Sequence, residues 1–281
     1  LNYGPYGSGH DHPDRLHFIF YARGHLVAID PGMAAYRTRI HTEWYKSTLA
    51  HNTLMVDETS QAMEGARCIA FGSTAGVDYV MLDDGDAIPD VQFVRTAALV
   101  NENLIVLIDQ MRSEKERLLD FAYHPAGEWA LLPPGKAGTS PAKPPYSYLT
   151  DTSERDVTGG MTASTRIADG FEPAVVVAAG DPTYAITGTG PGIGGATNRV
   201  PCLILRRRAR ETALGWAVAL DGKAPQIALE SVKSPDGKPI SQAQAVALRV
   251  ESDGKSFAII ANPDGLVLKG AGSVPFVVAG E

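Results

Sequence analysis

Short apolar runs rich in β-branched residues recur along almost the whole chain, and hardly any stretch carries the apolar period of a helix. The runs occupy residues 16–21, 26–29, 53–56, 79–82, 93–99, 104–111, 118–123, 174–179, 184–187, 203–206, 213–220, 245–250, 257–261, 266–269 and 275–278. The 29 glycines and 19 prolines punctuate them. Short strands separated by frequent turn residues predict antiparallel sheets packed face to face. The expected fold class is all-β, a large, supersandwich-like antiparallel β-sandwich with almost no helix. Ala22-Arg23-Gly24-His25 reads as the turn of a first hairpin. Only residues 37–49 carry a helical turn or two, on the spacing of Ile40, Trp44 and Leu49. The prolines of residues 133–148 cannot donate to a ladder, so this segment is expected to be a surface connection. It divides the chain into a first part, 1–132, and a second, 149–281, which holds the remaining sheets of the same or an adjoining sandwich.

Composition narrows the function. A chain of 281 residues, 44% hydrophobic and 20% charged, can bury a substantial core. Its net charge of −7 excludes a general nucleic-acid binder, which needs a surplus of Lys and Arg. The longest apolar runs, 104–108 and 174–179, fall far short of the roughly 20 residues of a membrane-spanning helix. Cys68 and Cys202 make no disulfide framework and no CxxC motif. The chain starts at Leu1 without an initiator Met or an export signal, and so reads as a processed or excised piece.

Chemistry concentrates at one end. Six of the seven histidines (His10, His12, His17, His25, His41 and His51) lie in the first 51 residues, with five basic residues and four acids. His12 and Asp30 fall at the start and end of the first hairpin, where antiparallel pairing brings them together, and His51 precedes the next strand. Two imidazoles and a carboxylate at strand ends suit a Zn2+ site with one open position. Asn52 and Asp14 are placed to fix a ring tautomer. Other signals carry less. Residues 190–195 satisfy GxGxxG, but a strand follows where a nucleotide site needs a helix. Arg206, Arg207, Arg208 and Arg210 read as a charged hairpin edge. Asp83, Asp84 and Asp86 read as a polar turn, and His124 as a structural histidine.

The segments Gly9-His10-Asp11-His12-Pro13-Asp14-Arg15-Leu16, Phe18-Ile19-Phe20-Tyr21, Arg23-Gly24, Asp30-Pro31-Gly32 and Trp44 through Thr53 resemble the signature of the heparinase II/III-like polysaccharide lyases, a family that includes exolytic alginate lyases. The resemblance is specific over residues 3–65 and looser to about residue 220. It implies zinc ligands at His12, Asp30 and His51. It also implies a C-terminal β-sandwich partnered by an N-terminal α/α toroid that supplies most of the base and acid, for which this chain has no helical segment. The expected substrate is a uronate polysaccharide or oligosaccharide, of alginate or heparin/heparan type, in the periplasm or outside the cell. The alternative is a carbohydrate-binding or scaffold module with a structural zinc.

Elimination from a uronate needs a base for the C5 proton, an acid at the leaving O4 and neutralisation of the adjacent carboxylate. His10 is the catalytic candidate, because it adjoins His12 yet points away from it. Tyr45 and Tyr36 are the candidate phenols, Tyr45 catalytic and Tyr36 in substrate binding with Arg15, Arg37 and Arg39. Because the toroid carries most of the machinery, residues 1–281 alone are expected to show little or no lyase activity.

Overall fold

The computed structural model describes residues 1–74, 76–138, 142–252 and 254–280. Strands account for 53% of the chain and helices for 6%, so the all-β expectation holds. The strands are β1 (Phe20–Ala22), β2 (His25–Ala28), β3 (Leu54–Val56), β4 (Arg67–Thr74), β5 (Val77–Asp83), β6 (Val91–Val100), β7 (Leu104–Tyr123), β8 (Glu128–Leu131) and β9 (Lys136–Ala137). The second half adds β10 (Thr150–Asp156), β11 (Met161–Arg166), β12 (Ala174–Val177), β13 (Tyr184–Gly192), β14 (Gly195–Ala219), β15 (Gln226–Ser231), β16 (Val246–Ser252), β17 (Lys255–Ala261) and β18 (Phe276–Gly280). Among the described residues, no helix is long and apolar enough to cross a membrane.

The strands form three antiparallel sheets. The hairpin β1-β2 stands by itself, β3 to β14 make a 12-stranded sheet, and β15-β16-β17-β18 make a four-stranded one. In the large sheet the order β4-β5-β6-β7-β14-β12-β11-β8 runs through two long central strands, of 20 residues in β7 and 25 in β14. Leu82, Phe93 and Leu107 from one half share a buried cluster with Ala163, Val175 and Trp216 from the other, so the sheet wraps around its own core. Its other face, through Met81, Val106 and Ile108, packs on Leu248, Val250 and Ile259 of the four-stranded sheet. A third cluster, around Trp44, Tyr45 and Leu49, seats the N-terminal loops on Ile186 and Ile204.

The sequence rhythm misplaces several boundaries. Residues 104–111 and 118–123 are one strand, as are 203–206 and 213–220. The polar stretch between each pair resembles a loop in sequence. It is the point where the paired long strands pass outside both cores, marked by a bulge between Ala209 and Glu211. The arginine run therefore lies in the middle of β14 and not at a hairpin edge, where Arg206 bonds Asp120 at 2.7 Å and Arg207 is buried. β7 and β14, from either side of residues 133–148, pair directly, so that connection lies within one sheet; residues 139–141 lie outside the described residues, and of the rest most are exposed while Tyr146 is buried, its hydroxyl donating to Asp120. Residues 266–269 form no strand beyond an isolated bridge from Leu268 to Gly272. The first hairpin is shorter than expected, because Leu16 turns at φ 65° and residues 17–19 join no ladder. Its two-residue turn puts Arg23 at φ 51° and Gly24 at φ 84°, the doubly left-handed geometry that suits tightly twisted hairpins. Residues 37–49 do hold helical turns, a π turn at His41–Tyr45 and a 3-10 turn at Thr48–Ala50. Residues 190–195 are the end of β13 and its turn into β14, and Cys68 and Cys202 are free.

Candidate metal centre and acid–base pair

Three irregular segments, 9–17, 29–41 and 46–53, meet at one end of the large sheet, and a single buried side chain ties them. Asn52 Nδ2 donates to Phe18 O (2.8 Å) and Ile29 O (3.0 Å), while its Oδ1 accepts from His124 N (2.6 Å). Arg95 on β6 fixes the same segments from below. Its Nη1 donates to Leu16 O at 2.9 Å and to Asn52 O at 2.5 Å, and its other nitrogens grip Asp109 at 2.7 and 2.9 Å. Buried backbone carbonyls outside any ladder need such donors.

His51 lies fully buried where the segments meet. Its Nδ1 is 3.1 Å from Asp30 Oδ2, and its Nε2 is 3.1 Å from Tyr45 O and 3.2 Å from His12 Nδ1. His17 Nε2 approaches Asp30 Oδ2 at 3.1 Å from the buried side. Among the described residues, the candidate ligand atoms within 4.8 Å of one another belong to His17, Asp30 and His51. The expected His12 stands outside that triplet, against the opposite nitrogen of His51. Sequence reasoning gave His17 no role; its signal was a polar side chain between buried Leu16 and Phe18. Asn52, expected beside the ligands, proves central through its backbone, which donates to His17 Nδ1 at 2.8 Å. In a neutral ring this leaves the hydrogen on His17 Nε2, facing Asp30. Asp14 instead accepts from Asn2 and Arg15.

Electrostatics set the charge states. Burial would raise the Asp30 carboxyl, but the His17 and His51 imidazoles hold it well below the usual range. Burial and then the nearby His51 push His12 down to about 4, and burial lowers His17 despite its contact with Asp30. For His51, burial is outweighed by Asp30 and the ring is shifted up. An ionised carboxylate is thus ringed by imidazoles, two of them held neutral at pH 7. Donor nitrogens and an oxygen about 3 Å apart suit a shared cation with bonds of about 2.0–2.2 Å, so the residues fit zinc.

Beside this centre runs a solvent-facing rim. His10 Nδ1 lies 2.7 Å from the Tyr36 hydroxyl, and both side chains are exposed. The Tyr36 ring meets the buried His41 ring edge-on, with centroids 4.9 Å apart. Tyr45 is elsewhere. It is completely buried and its hydroxyl donates to Gly192 O at 2.9 Å, so it serves packing and cannot reach a saccharide. Arg15 is also buried, bonded to Asp11 and Asp14 at 2.9 Å each, which removes it as a substrate-binding side chain. Arg37 is exposed, and Arg39 is exposed and bonded to Glu43 at 3.0 Å.

Solved structures share this architecture. The heparan sulfate lyase HepC from Pedobacter heparinus matches with a TM-score of 0.66 at 17% identity, over 98% of this chain and 38% of that one. The heparinase III BT4657 gene product matches with a TM-score of 0.68 at 14% identity, over 93% of this chain and 38% of that one. The fold is that of their β-sandwich portions. In sequence, an alginate lyase of Stenotrophomonas maltophilia (strain K279a) is 32% identical over 141 residues, which cover 42% of this chain and 19% of that protein. An exo-oligoalginate lyase of Saccharophagus degradans (strain 2-40) is 31% identical over 115 residues, 34% of this chain and 15% of that protein. The chain thus spans only a minor part of each relative's length. Residues 1–258 match the family model described as heparinase II/III-like, C-terminal. The chain belongs to that family.

Proposed function

We propose that this chain is the C-terminal β-sandwich of a polysaccharide lyase, completed by an N-terminal helical domain and acting on uronate-containing chains of alginate or heparan type in the periplasm or outside the cell. The observation that carries the reading is the exposed His10–Tyr36 pair at 2.7 Å, set beside a buried carboxylate–imidazole centre. With the His10 hydrogen on Nε2, the Tyr36 hydroxyl donates to Nδ1. The phenol proton passes to His10 as the Tyr36 oxygen takes up the C5 proton of the uronate. The C5–H electron pair forms the C4=C5 double bond, the C4–O4 bond breaks, and Tyr36 passes its newly gained proton to O4 while His10 returns the phenol proton to Tyr36. The exposed Arg37 and Arg39 flank Tyr36 and bind sugar carboxylates.

Zinc, in this reading, is held by His12, Asp30 and His51, which requires the His51 ring, now with Nε2 on His12 and Nδ1 on Asp30, to turn one nitrogen toward both. His17 is the orienting residue, because the Asn52 amide occupies its Nδ1 and leaves Nε2–H toward Asp30. When bound, the cation balances the Asp30 charge and pins the segments that carry His10 and Tyr36.

The test uses the natural full-length protein with alginate and heparan sulfate, following the ultraviolet absorbance of the unsaturated uronate product. His10→Ala and Tyr36→Phe should each lower kcat by about 10²- to 10⁴-fold, the usual contribution of general acid–base groups. Tyr45→Phe should leave kcat near that of the parent. Unchanged turnover in both rim variants would remove the pair from the chemistry and leave a binding or scaffold module.

A further inference from the structure

Three of the five cations in the N-terminal region have side-chain partners. Arg15 is buried on Asp11 and Asp14, Arg39 meets Glu43, and Arg23 lies over the Phe171 ring while donating to Asn103. Arg37 points from an exposed turn at φ 68°. Lys46 differs from Arg15 and Arg39 in lacking an ion pair, and from exposed Arg37 in being held at a backbone carbonyl. It is half-buried, its Nζ donates to Gly9 O at 3.0 Å, and it forms no ion pair among the described residues.

Its surroundings hold it in place. The Lys46 amide donates to His41 O at 2.9 Å, the His41 ring packs against Tyr36, and Tyr36 reaches His10. Gly9, which receives the ammonium, directly precedes His10. Lys46 therefore closes a circuit of contacts around the acid–base pair. An ammonium carries three N–H donors, and the Gly9 carbonyl takes one. What remains is an ammonium with donors that no side chain among the described residues takes up, fixed on the backbone of the segment that carries His10. An anion supplied from outside can take those donors in charge-assisted hydrogen bonds.

We propose that Lys46 is the carboxylate anchor of the reaction: its ammonium binds the carboxylate of the uronate whose C5 proton is removed. The inference rests on the lyase reading and deepens it. As the C5–H bond breaks, its electron pair moves first onto the carboxylate attached to C5, and Lys46 stabilises that charge by hydrogen bonds. The pair then returns to form C4=C5 while the C4–O4 electrons leave with the oxygen, and Lys46 keeps its proton throughout. A donor aimed at charge that develops only in the transition state acts mainly on kcat.

The test compares Lys46→Met and Lys46→Arg with the parent full-length protein on an oligouronate and on its methyl ester, in which the carboxylate charge is already masked. Lys46→Met should lower kcat/KM for the free acid by about 10²- to 10³-fold, as for loss of one oxyanion donor, and for the ester by much less. Lys46→Arg should restore part of the activity on the acid. Circular dichroism and Tm matching the parent show that the variants fold. Equal losses on acid and ester, or no loss on the acid, overturn the proposal. If the parent itself forms no unsaturated product, the lyase reading fails separately and calorimetric titration decides for Lys46. Preference for acid over ester that disappears in Lys46→Met upholds the anchor; the same affinities in parent and variant overturn it.

Discussion

Tyr36 and Tyr45 lie in one short segment and have the same side chain, yet one is 53% exposed on His10 and the other is sealed under the β13–β14 turn. The π turn rotates Trp44 and Tyr45 inward together, a choice that local spacing does not encode, and this is why the sequence reading took Tyr45 for an accessible phenol. Similarly, Arg15 looked like a surface charge because its partners Asp11 and Asp14 are near in sequence but turn inward with it. The gathering of His12, Asp30 and His51 was legible because histidines and acids were crowded there beyond what packing requires. His17 was not, since a histidine in an apolar run reads as core. For the metal, the expected outcome is about one zinc per chain by elemental analysis and its loss in His12→Ala, because two protein ligands hold zinc far less well than three. Undiminished zinc in that variant, with loss in His17→Ala, would move the third ligand to His17. A second residue-scale prediction concerns acid. Burial depresses His124 to about 4, while its Nε2 donates to Leu49 O at 2.8 Å. An unfolded histidine titrates near 6.5, so the unfolded chain takes up this proton first and stability falls as pH drops from about 6.5 to about 4. Over that window His124 contributes roughly 3 kcal/mol of lost stability, and His124→Gln should flatten this part of the urea-unfolding profile. An unchanged slope would show that other groups dominate.

At the scale of elements, β6 and β7 support the site through one ion pair. Arg95 and Asp109 are both completely buried; Asp109 also accepts from Trp216 Nε1 at 3.0 Å, and Arg95 reaches up to the carbonyls of Leu16 and Asn52. Arg95→Met would strand the carboxylate and both carbonyls, so a loss of about 3–5 kcal/mol in unfolding free energy is expected. A loss below about 1 kcal/mol by denaturant titration would contradict this account of the pair. Gly190 on β13 is similarly constrained by a neighbour: a Cβ there would come within 2.6 Å of the Trp44 ring. The apolar runs in β6 and β7 made these strands legible, but pairing was not, because a run buried on both faces names a strand without naming its neighbours. The exposed middles of β7 and β14 likewise broke two long strands into four short ones in the sequence reading.

In the whole molecule, the four-stranded sheet covers a face that would otherwise be apolar and wet. Val77, Met81, Val106 and Ile108 are buried only because β15 to β18 lie over that side, with Phe276 stacked on Tyr79 at 3.8 Å. A protein ending after Leu220 should therefore bind a hydrophobic dye and self-associate, by fluorescence and sedimentation. A soluble, dye-silent monomer would show that the second sheet is dispensable. Chain direction adds a constraint on biosynthesis. The loops bearing His10 and Tyr36 are made before β13, but Trp44 Nε1 and the Tyr45 hydroxyl bond Pro191 O and Gly192 O, 147 residues later. On the ribosome these loops must wait, unanchored, until β13 has emerged. The histidine-rich end of the sandwich is thus completed only by a strand made well after it, so any stall in translation before β13 leaves a nascent chain with its histidines and loops open to proteases and stray metal ions.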